Sequence, residues 1–577
     1  MLSPDDPRIL QLARAILSGF DKHYRLFRTI SSEAKGRFER GDWAAVRAAD
    51  RERIDMYDLR VREATELIAR RFAGALSEEI WPSLKQAYLW LLYNHQQPEC
   101  AETFFNSVAC RLLHRRYFNN QYLFWRPGVS SQHIPSLQPT WRSYAPGSPG
   151  MQKVLRQLLL DLQILAGWED LERDLGSLEL AFAEAVPDLL NPRFGRQLQV
   201  LSSPFCRNRS AVAMGRVLDA GEQVPFAIPI RRNAKGELYV DALLTRRDDL
   251  DSLFSLSRTY FMVDMEAPAS FVSFLSALLP EKPQAELYTS VGLQKQGKTL
   301  FYRDLFEHLK HTSDQMVVAP GVRGMVMLVF TLPSFPYVFK IIRDSFEPPK
   351  DTDRQKVEAQ YHFVKHAERA GRLVDTLEFS DVAFPLNRFA PALLRELTEK
   401  APTQLERSGD ELVIRHLYVE RRLIPLDLYL ATADEAHARA ALTEYGHALR
   451  ELAGVNLFPG DLLLKNFGVT RFGRVQFYDY DEISPLDELN FRDLPLARSD
   501  EEELAAEPWY YVDPRDVFPA EFERFIFKPH QARLFREEHE ELLTARFWQE
   551  RQRRLREWPE TEVAPYLQAR RFRHPHG

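Results

Sequence analysis

The sequence predicts an α+β fold, mostly helical, and three observations carry that expectation. Apolar residues recur at three- and four-residue spacing from the N-terminus to Val186. From Leu198 the texture changes to short β-like runs bounded by turn residues. From Asp314 a different module begins, with three successive strand-like runs followed by mostly helical chain.

The elements follow in order. Ile9, Leu10, Leu12, Ala13, Ile16, Leu17 and Phe20 form one apolar stripe behind Asp5 and Asp6, which stand where helix caps belong. The pattern repeats over Trp43–Phe72, Glu78–Tyr93, Ala101–Phe118, Met151–Trp168 and Leu171–Val186. Pro127–Gly150 is a Pro/Ser/Gly-rich loop, and a loop that long is either functional or an irregular surface connection. Pro225–Arg231 and Glu237–Leu244 flank Asn233-Ala234-Lys235-Gly236, a hairpin signal, and Arg258–Met265 reads as a third strand. Helical spacing returns over Ala269–His311. In the second module Asp314–Val318, Gly324–Thr331 and Tyr337–Arg343 read as strands. A polar stretch with Pro348 and Pro349 then leads into a helix over Arg354–Arg372. Glu411–Val419 alternates as a strand, Asp434–Gly454 is an amphipathic helix, and most of the remainder is expected to be helical. There is no internal repeat and no low-complexity tract.

Composition narrows the function classes. A chain of 577 residues suits about two to four domains. Lys+Arg is 76 and Asp+Glu is 82, for a net charge of −6, which argues against a general nucleic-acid binder. The local exception is Arg546–Gly577, with eight Arg against four Glu. The longest wholly apolar run, Ala87–Tyr93, falls far short of the ~18 residues that a membrane span needs. The N-terminus MLSPDDPR has acids where a secretory signal carries bases. Cys100, Cys110 and Cys206 are an odd, sparse set, which suits a reducing compartment and excludes a disulfide framework. The expectation is a cytoplasmic protein with no nucleic-acid and no membrane partner.

The chemistry gathers in the second module. Ala319-Pro320-Gly321-Val322-Arg323-Gly324 is a glycine-containing loop between two strand-like runs, where backbone can approach a phosphate closely. Lys340 lies inside the apolar run Tyr337–Ile342, and a Lys there requires an anionic partner or a path to water. Gly460–Val469 contains D-x-x-x-x-N as Asp461 and Asn466, and Asp479 follows in Phe477-Tyr478-Asp479-Tyr480-Asp481. That order is what a kinase active site needs. One Asp orients and deprotonates the accepting hydroxyl, while the Asn and the later Asp hold Mg²⁺. Two departures stand out. Pro459-Gly460 replaces the usual His-Arg, and Asp479-Tyr480-Asp481 replaces Asp-Phe-Gly. Both resemble the small-molecule phosphotransferase branch, which is the alternative reading. Asp481 is either a second metal ligand or a neighbour orienting Asp479. The carboxylate partner of Lys340 stays open among Glu358, Glu368 and Glu378.

These residues bring the chain to a known family. It resembles the isocitrate dehydrogenase kinase/phosphatases over essentially its whole length. The likeness is densest in APGVRGMVMLVFTLPSFPYVFKIIRD, in YHFVKHAERAGRLVDTLEF, and in LFPGDLLLKNFGV followed by FYDYDEI. The resemblance implies a helical regulatory domain over residues 1–311 with a β-rich insertion at 198–265. It implies a bilobal protein-kinase-like catalytic domain over 312–577, with lobes at 312–420 and 421–577. It implies ATP or ADP held by Ala319, Pro320, Gly321, Val322, Arg323, Gly324 and Met325 with Lys340, while the motif spacing places Mg²⁺ on Asn466 and Asp479, with Asp481 as the further candidate ligand. Asp461 would be the kinase base and Lys465 would stabilise the transferring charge. Asp375, which pattern alone reads as a cap or turn residue, matches the family's phosphatase aspartate. Phe346–Arg372 would grip the protein substrate, isocitrate dehydrogenase, and AMP would act as an allosteric effector at a separate site. One active site would run both reactions and so control flux between the tricarboxylic acid cycle and the glyoxylate bypass.

Other signals are weaker. Gly292-Leu293-Gln294-Lys295-Gln296-Gly297-Lys298-Thr299 fits G-x-x-x-x-G-K-[ST], yet Glu286–Val291 makes a poor buried strand before it, so a helix–helix connection is the simpler expectation. His362, His366, His416, His437 and His447 show no metal-ligand spacing. Cys100 and Cys110 are expected to pack on a helix. The basic helix around Arg551–Arg556, with Trp548 and Trp558, is expected to be solvated and anchored by its aromatics. An inert nucleotide-sensing scaffold is disfavoured by the intact set of Lys340, Asp461, Asn466 and Asp479.

Overall fold

The computed structural model describes residues 6–72, 78–113, 121–131, 134, 136–146, 150–186, 196–219, 221–255, 259–346, 352–367, 370–495, 499, 510–557, 564–566 and 570–572. The chain divides into two units, residues 1–313 with 564–577, and residues 314–563. The C-terminal segment therefore belongs with the first unit, where Tyr566 and Arg571 both bind the buried Asp241 carboxylate. Among the described residues, no helix is long and apolar enough to cross a membrane.

The first unit opens with α1 (Pro7–Arg40), capped by Asp6 through the Arg8 amide and closed by Gly41 in the left-handed region. Its buried stripe, including Leu12, Ile16, Phe20 and Phe27, packs on α2 (Trp43–Phe72), α3 (Trp81–Leu92) and α4 (Pro98–Leu113). β1 (Trp141–Tyr144) then pairs with β2 (Gln197–Leu201), so the Pro/Ser/Gly-rich segment contributes an edge strand that composition did not reveal. Between these strands lie α5 (Met151–Asp161) and α6 (Leu171–Ala185). β3 (Phe205–Arg207), β4 (Ser210–Asp219), β5 (Glu222–Arg232) and β6 (Leu238–Val240) complete a sheet in the order β1-β2-β4-β5-β6, with β3 on β4. Asn233 shapes the expected hairpin turn, its side-chain oxygen accepting from the Lys235 and Glu237 amides, and Gly236 takes φ 86°. The expected third strand fails. Met262 makes only an isolated bridge to Cys206, and Arg258 lies outside the described residues.

Three carboxylates fasten the long loop. Glu99 accepts from Ser131, Glu102 from the Gly128 and Val129 amides, and Glu266 from Ser136 and the Gln138 amide. Ala269–His311 proves to be three helices after α7 (Arg247–Leu253), namely α8 (Pro268–Leu278), α9 (Gln284–Ser290) and α10 (Gln294–His311). The phosphate-loop pattern therefore runs from a helix into a helix. Gly297 sits inside α10, where a Cβ would meet Thr289 Oγ1 at 2.1 Å, so helix packing explains that glycine.

The second unit begins with β7 (Val317–Val318), β8 (Met327–Thr331) and β9 (Tyr337–Ile342), then α11 (Arg354–His366), β10 (Thr376–Pro385) and α12 (Pro391–Lys400). β11 (Leu405–Ser408) and β12 (Glu411–Arg421) finish a sheet in the order β10-β12-β9-β8-β7, with β11 on β12. The helix expected over Arg354–Arg372 ends at His366. Beyond it Leu373 bridges Phe477 in parallel, and Glu368 lies outside the described residues. β13 (Ile424–Pro425), α13 (Leu426–Thr432), α14 (Glu435–Gly454) and β14 (Leu457–Phe458) follow. Asp434 caps α14 through the His437 amide. β15 (Phe467–Val469) and β16 (Val475–Phe477) form a hairpin. The remainder is less helical than expected, with helices over Pro529–His539 and Ala545–Glu557 and short strand pairs before them. The basic helix has its expected form. Trp548 is fully buried, while Arg553 and Arg554 pair with Glu550 along the exposed face. Trp558 lies outside the described residues.

Candidate active site

Register sets the position of the strand lysine. β9 lies between β8 and β12, with Lys340 opposite Val329 and Tyr418. Its Nζ donates to the Tyr478 carbonyl at 2.8 Å and pairs with Glu420 at 2.7 Å. Both side chains are buried, at 7% and 2% exposure, so each needs the other. Burial raises the Glu420 pKa, against the pull of the Lys340 charge and of hydrogen bonds from Lys340 and Thr376. The partner is thus Glu420 of β12, and the expected set of Glu358, Glu368 and Glu378 is corrected. Glu358 and Glu378 both face His416, at 3.6 and 3.2 Å. The strand expected over Glu411–Val419 extends to Arg421, and that extension carries Glu420. Following the alternation past Tyr418 on the same strand face leads to it.

The second cluster is built by a loop hung between α14 and the β15–β16 hairpin. The buried Tyr445 of α14 donates its hydroxyl to the Leu462 carbonyl at 2.7 Å. Asp461 accepts from the Leu463 amide at 2.9 Å, and Asn466 donates to the Asp461 carbonyl at 3.2 Å. Tyr478 returns along the loop, its amide bonding the Asn466 carbonyl at 3.1 Å and its hydroxyl bonding the Lys465 carbonyl. The Gly that replaces Arg before the catalytic-type Asp has a steric reason. Gly460 takes φ 80°, and a Cβ on it would stand 2.4 Å from the Glu482 carbonyl oxygen. That close approach brings the loop carrying Asp461 against the turn that follows Asp479 and Asp481.

The expected residues converge on one cavity of about 420 Å³ within the second unit. Ala319, Pro320, Gly321, Val322, Arg323, Gly324, Met325, Lys340, Asp461, Lys465, Asn466, Asp479 and Asp481 all line it. Gly321 takes φ 119° in the loop, and a Cβ on Gly324 would meet the Met327 carbonyl oxygen at 2.9 Å. Glu420, Tyr361, Arg343, Glu396 and Tyr478 line the same cavity and were not anticipated. Among the described residues no three His, Cys, Asp or Glu side chains form a ready metal cage. Asn466, Asp479 and Asp481 supply hard oxygen donors to the cavity. That suits Mg²⁺, which binds through one or two carboxylates and substrate phosphates.

Asp375 is not among the described lining residues. It is 7% exposed, and the chain before it runs beside β16. The Phe477 amide donates to the Arg372 carbonyl at 2.7 Å, and the Val374 amide donates to the Phe477 carbonyl at 3.1 Å. Arg372, 1% exposed, anchors the segment through Glu451 at 2.7 Å and Glu444 at 2.8 Å. Burial opposes ionisation of Glu444, but the His447 hydrogen bond and the Arg372 and Arg474 charges outweigh it and hold its pKa well below the usual carboxylate range.

Comparison with known proteins covers both units. The family model described as "Isocitrate dehydrogenase kinase/phosphatase (AceK), regulatory domain" matches residues 13–313. The one described as "Isocitrate dehydrogenase kinase/phosphatase (AceK) kinase domain" matches residues 314–568. Curated relatives named isocitrate dehydrogenase kinase/phosphatase from Burkholderia mallei (strain SAVP1), Burkholderia pseudomallei (strain K96243) and Burkholderia thailandensis are each 48% identical over 567 residues. The match covers 97% of this chain and 94% of each of theirs.

Proposed function

The chain belongs to the isocitrate dehydrogenase kinase/phosphatase family, and from that premise we propose that the cavity of the second unit carries both of its reactions. The enzyme is a protein serine kinase and a phosphoprotein phosphatase acting on isocitrate dehydrogenase, and it sets flux between the tricarboxylic acid cycle and the glyoxylate bypass. One observation carries the assignment of the site: Lys340, Asp461, Asn466 and Asp479, from separate stretches of chain, line a single cavity of about 420 Å³. Family membership takes precedence over the small-molecule reading that Gly460-Asp461 and Asp479-x-Asp481 also allow.

In phosphorylation, Asp461 orients the serine hydroxyl and takes its proton as the oxygen attacks the γ-phosphorus of ATP and ADP leaves. Lys340, held by Glu420, grips the nucleotide phosphates under the Ala319–Met325 loop. Lys465 stabilises the charge on the transferring group. Asn466, Asp479 and Asp481 would hold Mg²⁺, which would supply neutralisation of phosphate charge. In hydrolysis, water attacks the phosphoserine phosphorus, serine leaves, and inorganic phosphate forms; Asp375, which is not among the described lining residues but follows the Leu373–Phe477 bridge as Asp479 does, is assigned to positioning that water through the family resemblance. AMP acts from a separate site.

The test is incubation with labelled ATP, Mg²⁺ and purified isocitrate dehydrogenase, followed by challenge of the labelled product with ADP. Asp461→Ala should lose phosphorylation while ATP still binds. Asp375→Ala should harm dephosphorylation more than phosphorylation. Lost ATP binding in Asp461→Ala with intact transfer, or equal loss of both reactions in Asp375→Ala, would contradict these roles.

A further inference from the structure

Tyr480 stands between Asp479 and Asp481 in the chain, and unlike them it is not among the described residues that line the cavity. It is fully buried. Its hydroxyl donates to the carbonyl of Val374, the peptide group that leads directly into Asp375, and it also lies 3.5 Å from the Phe477 carbonyl. The chains on either side run parallel, with Leu373 opposite Phe477. Asp375 and Asp479 therefore follow the paired residues at matching positions, and Tyr480 closes the ribbon just beyond the last backbone bond, from the Val374 amide to Phe477. Its ring meets Tyr361 of α11 edge-on, with centroids 5.2 Å apart. Tyr361 stacks on Tyr418 of β12 at 4.2 Å, two residues before Glu420. A cluster of three tyrosines thus supports the strand that holds the Lys340 partner, while one hydroxyl reaches the segment carrying Asp375.

We infer that Tyr480 is a positioning residue for hydrolysis, its hydroxyl fixing the peptide before Asp375 relative to Asp479. This rests on the assignment of Asp375 to dephosphorylation. The phosphorylation loop is held by other groups, since Tyr445 fixes Leu462 and Tyr478 fixes Lys465. Loss of the Tyr480 hydroxyl alone therefore weakens one reaction and spares the other. The ring serves both, because it packs on Tyr361 of α11, which in turn stacks on Tyr418 of β12.

Three variants of the full chain test this, with phosphorylation and dephosphorylation of isocitrate dehydrogenase and ADP binding measured for each. Tyr480→Phe should lower kcat for dephosphorylation about tenfold, the scale of one lost hydrogen bond that leaves a buried carbonyl unpaired. Its KM for the phosphoprotein, its ADP affinity and its phosphorylation rate should stay within about twofold of the parent. Tyr480→Leu, which removes the ring, should lower both reactions. Asp375→Asn is the control for the underlying assignment. Equal loss of both reactions in Tyr480→Phe overturns the proposal and makes the residue structural. So does an unchanged dephosphorylation rate in Tyr480→Phe when Asp375→Asn abolishes that reaction. If Asp375→Asn dephosphorylates normally, the assignment of Asp375 fails and the proposal falls with it.

Discussion

Gly460→Ala is the sharpest probe of how this site is assembled. Two costs can be read from the structure. At φ 80° an alanine pays the left-handed penalty of about 1–2 kcal/mol. Its Cβ would also stand 2.4 Å from the Glu482 carbonyl oxygen, 2.7 Å from the Glu482 Cβ and 2.9 Å from its carbonyl carbon. Backbone atoms cannot swing aside like a side-chain tip, so the two loops must part by roughly 0.6 Å to reach a tolerable 3.0 Å contact. Overpacking of that kind adds about 1–3 kcal/mol. The total is on the order of 2–5 kcal/mol of lost stability in the second unit. Because the strain lies between the Asp461 loop and the turn after Asp481, it also displaces Asp461, the proposed base, from Asp479 and Asp481, the proposed metal ligands. A shift of about 1 Å in such geometry costs on the order of a hundredfold in rate, so phosphorylation should fall about ten- to hundredfold. Urea unfolding followed by tryptophan fluorescence and label transfer from ATP measure the two effects. Gly409→Ala is the internal control, since Gly409 also takes a positive φ of 60° but has nothing within 4 Å of its Cβ position. A Gly460→Ala protein that unfolds and phosphorylates like the parent, or a Gly409→Ala protein equally impaired in transfer, refutes the reasoning.

Three further outcomes are expected. Glu420→Gln keeps the shape and the acceptor for Thr376 but removes the countercharge of Lys340, so ATP affinity should drop about tenfold or more, whereas Glu358→Gln should bind ATP normally; nucleotide titration distinguishes them. Arg372→Met removes the cation that Glu444 and Glu451 share, leaving Arg474 and His447 beside them, and should cost about 3–5 kcal/mol at neutral pH. Because the folded pKa of Glu444 is depressed, its contribution is present above the ordinary carboxylate pKa and fades as pH falls through the folded value; acid titration of the variant should therefore be shallower than that of the parent, and an unchanged slope would count against the pairing. Glu102 has the opposite sign. Burial, opposed by the Gly128 and Val129 amides and by Arg303, raises its pKa to about 7, so its contribution is full below about 4.5 and fades as pH rises through about 7. Glu102→Gln should flatten that decline, worth on the order of 3 kcal/mol, when first-unit unfolding is compared at pH 5 and pH 8.

Much of the site was legible because its signals are local. The glycine loop, the buried strand lysine, D-x-x-x-x-N and the later Asp each declare a chemistry within a few residues. Their order along the chain matches the path by which β7 to β9 and the β15–β16 hairpin fold around one cavity. The phosphate-loop pattern at Gly292–Thr299 could be discounted for a local reason too, as no apolar strand leads into it. What local pattern missed was pairing across long intervals. The partner of Lys340 depends on which strand lies beside β9, and β12 arrives there only after α11, β10, α12 and β11 have been placed. β1 went unseen because its four residues, Trp141–Tyr144, are too few to show a period and gain strand geometry only from β2.

Hydrophobic spacing, loop glycines and the order of acidic residues are properties of neighbouring positions, so the fold class, the glycine loop and the D-x-x-x-x-N loop can be read along the chain without reference to packing. Which buried charge meets which countercharge, why Gly460 must lack a side chain, and how Asp375 is held beside Phe477 and Tyr480 are matters of contact between segments remote in sequence. Those contacts exist only once the sheets have closed, because desolvation and close approach act through space rather than along the chain.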